Sequence, residues 1–300
     1  YPILLVVGVF VIAVAMVVVV LTLTYPNLPS LEVLTDYRPK IPLRVFTADG
    51  QMIGEFGEER REVIRFVDVP EVMKQAILAA EDERFYQHGG VDAQGIARAA
   101  LSNFIGGGRR QGASTITQQV AKNFFLSSEK TYVRKLYEAL LSFKIEKNLT
   151  KDQIFELYIN QIFLGQRAYG FGAAAQIYFG KSLKELNIAE AAMLAGLPKA
   201  PSAFNPVVNP KRARLRQQYV LRRMHELGFI NAEQHEEATR QALVVKRETN
   251  VFPVHAEYVA EMARQIAADR FPDDVYSGGL KVYTTISRDD QEADYTSLWR

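Results

Sequence analysis

The 300-residue sequence contains no cysteine. This absence excludes disulfide bonds, cysteine-ligated zinc and cysteine nucleophiles. A strong excess of one charge is also lacking, since the formal net charge is +2, which argues against a dedicated nucleic-acid binder. The 48% hydrophobic and 23% charged residues are typical of a folded globular protein.

The first segment lacks charge altogether. From Ile3 to Leu23 the sequence ILLVVGVFVIAVAMVVVVLTL is apolar except for Gly8 and Thr22. About 20 such residues span the hydrocarbon core of a bilayer, so we predict a transmembrane helix over residues 1–24. A buried core helix would keep some polar face. A signal peptide would have a shorter apolar region and a small-residue cleavage site, where this chain has TYPNLPS.

Changes in composition divide the rest of the chain. Residues 25–62 combine a proline-rich, semi-extended stalk with LRVFTADGQMIGEF, whose alternation around Asp49-Gly50 predicts a small hairpin. Residues 63–245 form a predicted helical domain. Residues 246–300 begin a linker, in which GGLKVYTTI (Gly278–Ile286) is a predicted strand that opens another module.

Helical spacing and capping signals mark the helices of the central domain. Asp68, two residues before Pro70, is the predicted cap of its first helix. The apolar face of that helix holds Val72, Met73, Ala76, Ile77 and Ala80. The pairs Thr115/Gln118, Thr150/Gln153 and Asn231/Gln234 resemble capping boxes. Further helices are predicted over residues 93–105, 131–149, 151–162 and 189–197.

A carboxylate at the end of the first helix is the first candidate for catalysis. In ILAAEDERFYQHGGVD, Glu81 follows Ile77 by four residues and therefore projects from the face expected to be buried. Burial without a partner raises a carboxyl pKa toward the range useful for acid/base work. The alternative is a structural pair with Arg84. His88 before two glycines fits a structural residue better than a metal ligand.

A second polar cluster follows a glycine-rich stretch at residues 106–110. QGASTITQQVAKNFF is dense in Ser, Thr and Gln at a helix start, where backbone N–H groups and hydroxyls can receive an anion. Gln118 lies four residues and Gln119 three residues before Lys122, which would concentrate donors toward one ligand. A solvated polar helix is the alternative. The Ser127-x-x-Lys130 match is set aside, because no Ser-Asp-Asn or Lys-Thr-Gly follows.

Two later helices also carry polar groups at close spacing. In RKLYEALLSFKIEKN, Arg134 and Lys135 precede Glu138 by four and three residues, the spacing of ordinary helix ion pairs. In KDQIFELYINQIF, polar groups lie inside an otherwise apolar helix and need partners or a substrate. They belong to Glu156, Tyr158 and Asn160.

Together these segments resemble the peptidoglycan glycosyltransferase domain of class A (bifunctional) penicillin-binding proteins, of the 1A type. AEDERFYQHGGVD, QGASTITQQVAKN, RKLYEAL, LTKDQIFELYIN, GFGAAAQIYFGK and GLPKAPSAFNP occur in the family's order over residues 60–245. The resemblance implies a mainly α, lysozyme-like domain preceded by a transmembrane helix, with small β elements in the stalk and at the C-terminal end. The family continues into a transpeptidase domain, whose motifs this sequence does not contain.

The resemblance also assigns roles. Glu81 is implied to be the general base that deprotonates the acceptor sugar, with inversion at the donor's anomeric carbon giving a β-1,4 glycan. Glu138 is the second family glutamate, which positions the donor or handles its pyrophosphate. The implied substrate-binding residues are Asp82, Phe85, His88, Ser114, Thr115, Gln118, Gln119, Lys122, Asn123, Lys130, Arg134, Lys135, Glu156, Tyr158, Asn160 and Lys199. Two departures are Ala113 for a frequent glycine and Tyr137 for a frequent lysine, which removes one positive charge.

The same resemblance implies the setting. The partners are lipid II, the growing glycan strand, the bilayer and other cell-wall synthesis proteins. The location is a bacterial inner membrane, crossed once, with the catalytic domain in the periplasm. No organic cofactor is expected, and a divalent cation (Mg or Mn) bridging the phosphates is left open. A lysozyme-like hydrolase and an inactive scaffold are the alternatives.

One basic run remains outside these roles. It holds Lys199, Lys211, Arg212, Arg214, Arg216, Arg222 and Arg223. We interpret it mostly as a solvated helix face, with contact to lipid head groups as the alternative.

Overall fold

The protein is mainly helical, as predicted. The computed structural model describes residues 25–35, 39–105, 114–126, 132–246 and 254–298, together with Gly8, Ala15, Thr22 and Phe252. Its helices are α1 (Glu32–Thr35), α2 (Glu71–Glu81), α3 (Ala93–Ile105), α4 (Ile116–Phe125), α5 (Tyr132–Asn148), α6 (Lys151–Gln161), α7 (Phe171–Phe179), α8 (Ile188–Gly196), α9 (Pro210–Glu226), α10 (Ala232–Arg240), α11 (Glu257–Arg270) and α12 (Arg288–Leu298). Its strands are β1 (Leu43–Phe46), β2 (Met52–Phe56), β3 (Arg60–Arg61), β4 (Ala168–Tyr169) and β5 (Lys281–Tyr283).

The predicted transmembrane helix lies outside the described residues, except for Gly8, Ala15 and Thr22, which are helical. Within the described ranges, no helix has both the length and the apolar character that crossing a bilayer requires. The glycine-rich stretch at 106–110 also lies outside the description.

The chain forms two compact units, of which the first comprises residues 1–37 and 86–154. Helices α4 and α5 pack together there. The predicted stalk is not extended over its first part, because Tyr25–Asn27 forms a 3₁₀ turn and Glu32–Thr35 a helical turn, and Leu28 and Leu34 are buried. The ammonium of Lys144 donates to the carbonyl oxygen of Pro29 at 2.8 Å. These residues are therefore part of the folded unit.

The second unit comprises residues 38–85 and 155–300. Helices α2, α8 and α9 pack against one another. Helix α8 supplies small residues at the contacts, and Ala191, Ala192 and Ala195 are fully buried. Because small side chains let helix backbones approach closely, the last turn of α2 lies near the ends of α8 and the middle of α9.

Helix α2 begins two residues later than predicted. Asp68 ends a short 3₁₀ turn, and Pro70 occupies the N-cap without a side-chain cap bond. The carboxylate of Asp68 instead binds Arg65 at 2.8 Å and Lys184 at 3.3 Å. Asp68 is therefore not a capping residue, although the face holding Met73 is buried as predicted.

The predicted hairpin is present and belongs to a three-stranded sheet of order β2-β1-β5. β1 pairs antiparallel with β2, and Gly50 takes the positive φ of 85° that the turn requires. The C-terminal strand β5 was predicted to open another module, but it pairs parallel with β1. Helix α11 covers this sheet at Gly54, where an added Cβ would lie 2.8 Å from the Cβ of Ala260.

Two polar side chains of α6 hold the segment that leads into α2. The side-chain oxygen of Asn160 accepts from the N–H of Ile64 at 2.9 Å, and its amide nitrogen donates to the carbonyl of Ile64 at 2.8 Å. The carboxylate of Glu156 accepts from the N–H of Phe66 at 2.7 Å. Both residues were predicted to contact substrate, but here their partners are backbone groups, and Asn160 is only 6% exposed. A substrate role for Asn160 would require it to release these bonds.

Replacing Asn160 tests this structural role. We expect Asn160→Ala to lower the free energy of unfolding by about 2–4 kcal/mol, because the N–H and carbonyl of Ile64 lose their partners. Asn148 is a matched control, since this exposed asparagine donates one bond to the carbonyl of Lys144. Asn148→Ala should cost about 0.5 kcal/mol or less. Equal losses for the two variants in urea unfolding would contradict the assignment.

Candidate active site

Glu81 is the last residue of α2 and its side chain is only 11% exposed. This burial confirms the expectation from helical spacing. The carboxylate is not isolated, because a guanidinium nitrogen of Arg216 on α9 lies 3.7 Å from its Oε1. A neighbouring positive charge favours the ionised, proton-accepting form of a carboxylate.

Arg216 is the residue that the sequence interpretation missed. It was placed on a solvated basic face, but it is only 8% exposed. Its Nε donates to the carbonyl of Gly196 at 3.3 Å, and its guanidinium lies 4.6 Å from the ring centre of Tyr219. The signal was helical spacing, since Arg216 follows buried Ala213 by three residues and precedes buried Val220 by four.

Two more predicted residues lie in the electrostatic field of Glu81. Lys199 is exposed, and partial burial of its ammonium together with repulsion from Arg216 lowers its pKa, while Glu81 opposes this shift. Tyr158 is fully buried, and burial, followed by the charge of Glu81, raises its pKa well above the ordinary value. The Tyr158 hydroxyl has no hydrogen-bond partner within the described part of the chain.

The residues that follow Glu81 are largely internal. Asp82 is the C-cap of α2, is 7% exposed, and its carbonyl accepts from the N–H of Phe85 at 3.1 Å. Phe85 was predicted to contact substrate, but it has no exposed surface and its ring packs 6.0 Å from that of Phe155. Phe85 is therefore a core residue. His88, in the other unit, is half-buried.

In the first unit, Glu138 is the centre of a charged cluster. Its side chain is 4% exposed, and its two oxygens lie 3.2 Å from Nε of Arg134 and 2.6 Å from Nζ of Lys135. The ammonium of Lys135 also donates to the hydroxyl of Ser114 at 3.0 Å. The predicted ion pairs are confirmed. The cluster holds two cations for one carboxylate, which suits a site that receives an anion.

The start of α4 uses two predicted ligands for structure. Thr115 and Gln118 form a reciprocal capping box, as their spacing predicts. The Thr115 hydroxyl also donates to the carbonyl of Gly90 at 2.6 Å. Gly90 has a φ of 94°, and an added Cβ would lie 2.9 Å from the backbone of Ser142. Thr115 and Gln118 are buried, so their predicted contact with substrate is not supported by their positions.

Further along α4, Lys122 and Asn123 are exposed and Gln119 is half-buried. Gln118 and Lys122 lie four residues apart on α4 as predicted, but Gln118 is internal and Lys122 is exposed. The backbone carbonyl of Lys122 accepts from the N–H of Leu126 at 3.3 Å, while its ammonium makes no hydrogen bond or ion pair with any described residue. Lys130 lies outside the described residues.

The structure thus brings the predicted site residues together in two groups. In the second unit, Arg216 lies 3.7 Å from Glu81 and acts electrostatically on Tyr158 and Lys199. The first unit gathers Ser114, Arg134 and Lys135 around Glu138. A shielded carboxylate can accept a proton, and neighbouring cations can stabilise developing negative charge. In the portion that the structure describes, no group of three or more histidine, aspartate and glutamate residues is placed to hold a metal ion.

Comparison with known proteins gives relatives that share one name, penicillin-binding protein 1A. Penicillin-binding protein 1A of Neisseria lactamica is 56% identical over 294 residues, which cover 98% of this chain and 37% of that protein. Penicillin-binding protein 1A of Pseudomonas aeruginosa is 47% identical over 273 residues, or 91% of this chain and 33% of that protein. The chain therefore spans about a third of the length of these relatives.

A solved structure, penicillin-binding protein 1A from Haemophilus influenzae, covers 87% of this chain and 29% of its own, at 32% identity and a TM-score of 0.49. The family assignment rests on sequence. The transglycosylase family model matches residues 49–225, which is more than half of the 300 residues. The chain belongs to the transglycosylase family.

Proposed function

We propose that this chain is a peptidoglycan glycosyltransferase, which polymerises lipid II into β-1,4 glycan strands for the bacterial cell wall. Membership of the transglycosylase family and the names of the relatives support this function. The observation that carries it is the shielded carboxylate of Glu81 with the guanidinium of Arg216 at 3.7 Å, and the positive charge of Lys199 also acts on this carboxylate. Transfer from a pyrophosphate donor needs both a base and positive charge.

In the proposed reaction, Glu81 accepts the proton of the acceptor sugar's hydroxyl. The resulting oxygen forms a bond to the anomeric carbon of the donor on the face opposite the leaving group, which gives inversion. The bond from that carbon to the undecaprenyl pyrophosphate breaks, and its electron pair leaves on the pyrophosphate oxygen. The proton remains on the Glu81 carboxyl, and cations stabilise the departing negative charge.

The Glu138 cluster is assigned to the donor. Lys135 and Arg134 are both within ion-pair distance of Glu138, which fixes their head groups while leaving N–H donors for phosphate oxygens. Lys135 is 49% exposed along its side chain and can reach a ligand without being uncovered first. Lys122 on α4 supplies a further exposed cation.

A lysozyme-like fold is part of this proposal, and it raises the rival function of glycan hydrolysis. Hydrolases also use two carboxylates, but they do not need several cations around them. A polymerisation assay with fluorescent lipid-linked disaccharide separates the functions. Lengthening glycan chains support the transferase, and loss of preformed glycan supports the hydrolase.

We also infer the setting from the sequence. The apolar run from Ile3 to Leu23 is long enough to anchor the chain in a bilayer, where a lipid-linked donor resides. The proposed arrangement is a single pass through the inner membrane with the catalytic residues in the periplasm. Other cell-wall synthesis proteins are the proposed partners. The proposed reaction requires no organic cofactor, and the role of a divalent cation is left to experiment.

Replacing Glu81 tests the base. We expect Glu81→Gln to lower kcat for polymerisation by about 10²–10⁴-fold, because the amide has nearly the same shape but cannot accept the proton. Circular dichroism should show an unchanged fold. The control is Glu83→Gln, which removes a nearby carboxylate that pairs with Arg223. Near-normal turnover by folded Glu81→Gln would exclude Glu81 as the base.

Replacing Lys122 tests donor binding. We expect Lys122→Ala to raise the KM for the lipid-linked donor about tenfold, because one charge-assisted contact to phosphate is lost. Stability should not change, since this side chain is exposed. Lys281→Ala on β5 removes the same charge from another exposed position and serves as the control. If both variants keep the original KM, Lys122 is not a donor ligand.

A further inference from the structure

Arg216 is a buried cation whose surroundings explain its position. Its aliphatic part passes over Gly196, where an added Cβ would lie 2.8 Å from Cγ of Arg216. A larger residue at position 196 would therefore have to displace this side chain from its observed position. The ring of Tyr219, one turn along α9, lies 4.6 Å from the guanidinium carbon. The guanidinium is thus confined on two sides.

The nitrogens of this guanidinium reach three acceptors on two other helices. Nε donates to the carbonyl of Gly196 at 3.3 Å, and Nη2 lies 3.5 Å from the carbonyl of Ala80. Nη2 is also 3.7 Å from Oε1 of Glu81. Both of the last contacts are with the final two residues of α2, so Arg216 holds the helix end and its carboxylate together.

We propose that Arg216 is a positioning residue for Glu81: it holds the carboxylate in one orientation at the end of α2 and keeps it in its charged, proton-accepting form. This inference rests on the proposed function, because it assigns the partner of the base in that reaction. Arg216 acts through Glu81 and needs no contact with the substrate.

The chemistry of arginine fits this role better than that of lysine. A guanidinium is planar, always charged and presents several N–H donors in a fixed fork, so it can bind backbone carbonyls and face a carboxylate at once. A lysine ammonium would keep the charge but not this geometry. The effects of charge and of orientation can therefore be measured separately.

Two described titratable groups respond to the charge of Glu81. They are Lys199 after α8 and Tyr158 of α6. Burial and Arg216 lower the pKa of Lys199, and Glu81 opposes this shift. Burial and the charge of Glu81 both raise the pKa of Tyr158. Asp82 acts on Tyr158 in the same direction. When Arg216 is removed, the positive charge of Lys199 still acts on Glu81. The change between the unaltered protein and the variant therefore measures the contribution of Arg216 alone.

The test is the pH dependence of kcat/KM for polymerisation of fluorescent lipid-linked disaccharide. Arg216 favours the charged form of Glu81, so its removal must move the protonation of the base to higher pH. We expect R216Q to shift the acid limb upward by about one pH unit, with about a tenfold loss of activity on that limb. R216K should keep the acid limb near its original position while kcat falls severalfold, because the fork is lost.

The matched control is R223Q, two turns along the same helix, which breaks the ion pair with Glu83 and leaves Glu81 untouched. Its acid limb should not move. An R216Q variant that folds and keeps the original acid limb would overturn the inference, even if its rate falls uniformly. If R216Q does not fold, R216K decides: an acid limb shifted upward by a full unit despite the retained charge would overturn it. Absence of polymerisation by the unaltered chain would instead reject the proposed function.

Discussion

The proposed active site in the second unit depends on an ion pair between Glu81 and Arg216, two side chains that are both largely removed from water. Burying either charge alone costs several kcal/mol, and the pair offsets that cost only when the remaining donors are also satisfied. The carbonyls of Gly196 and Ala80 accept from two nitrogens of the Arg216 guanidinium. The packing of α2, α8 and α9 brings this pair together, and Gly196 leaves room for the Arg216 side chain in its observed position.

In the first unit, the charge of a buried carboxylate is balanced by cations that are close to it in the sequence. Glu138 is buried more deeply than Glu81, and its cations, Arg134 and Lys135, lie one turn before it on the same helix. Each unit thus contains a shielded carboxylate held by positive charge. On the proposed function, one carboxylate accepts a proton and the other fixes cations that meet a pyrophosphate.

The spacing of residues along the sequence was sufficient to predict structures that residues three or four apart form with one another. Helices such as α3, α5 and α6, the Thr115 capping box and the Glu138 ion pairs follow from contacts three or four residues apart, whereas α7, α11 and α12 were not predicted. Contacts between distant segments were not predicted, and these include Arg216 with Glu81 and β5 with β1. The sequence also could not separate polar side chains that bind backbone, such as Asn160, from those available to a ligand, because both occur in mainly apolar helices.

The central claim is that Glu81 takes the proton of the attacking hydroxyl. The most direct measurement is a structure of the protein with a non-reactive analogue of the lipid-linked disaccharide in the acceptor position. The account predicts an acceptor hydroxyl within about 2.6–3.2 Å of a Glu81 carboxylate oxygen, while Arg216 still contacts that carboxylate. An acceptor hydroxyl bound by another base, with Glu81 beyond the reach of one water, would contradict it.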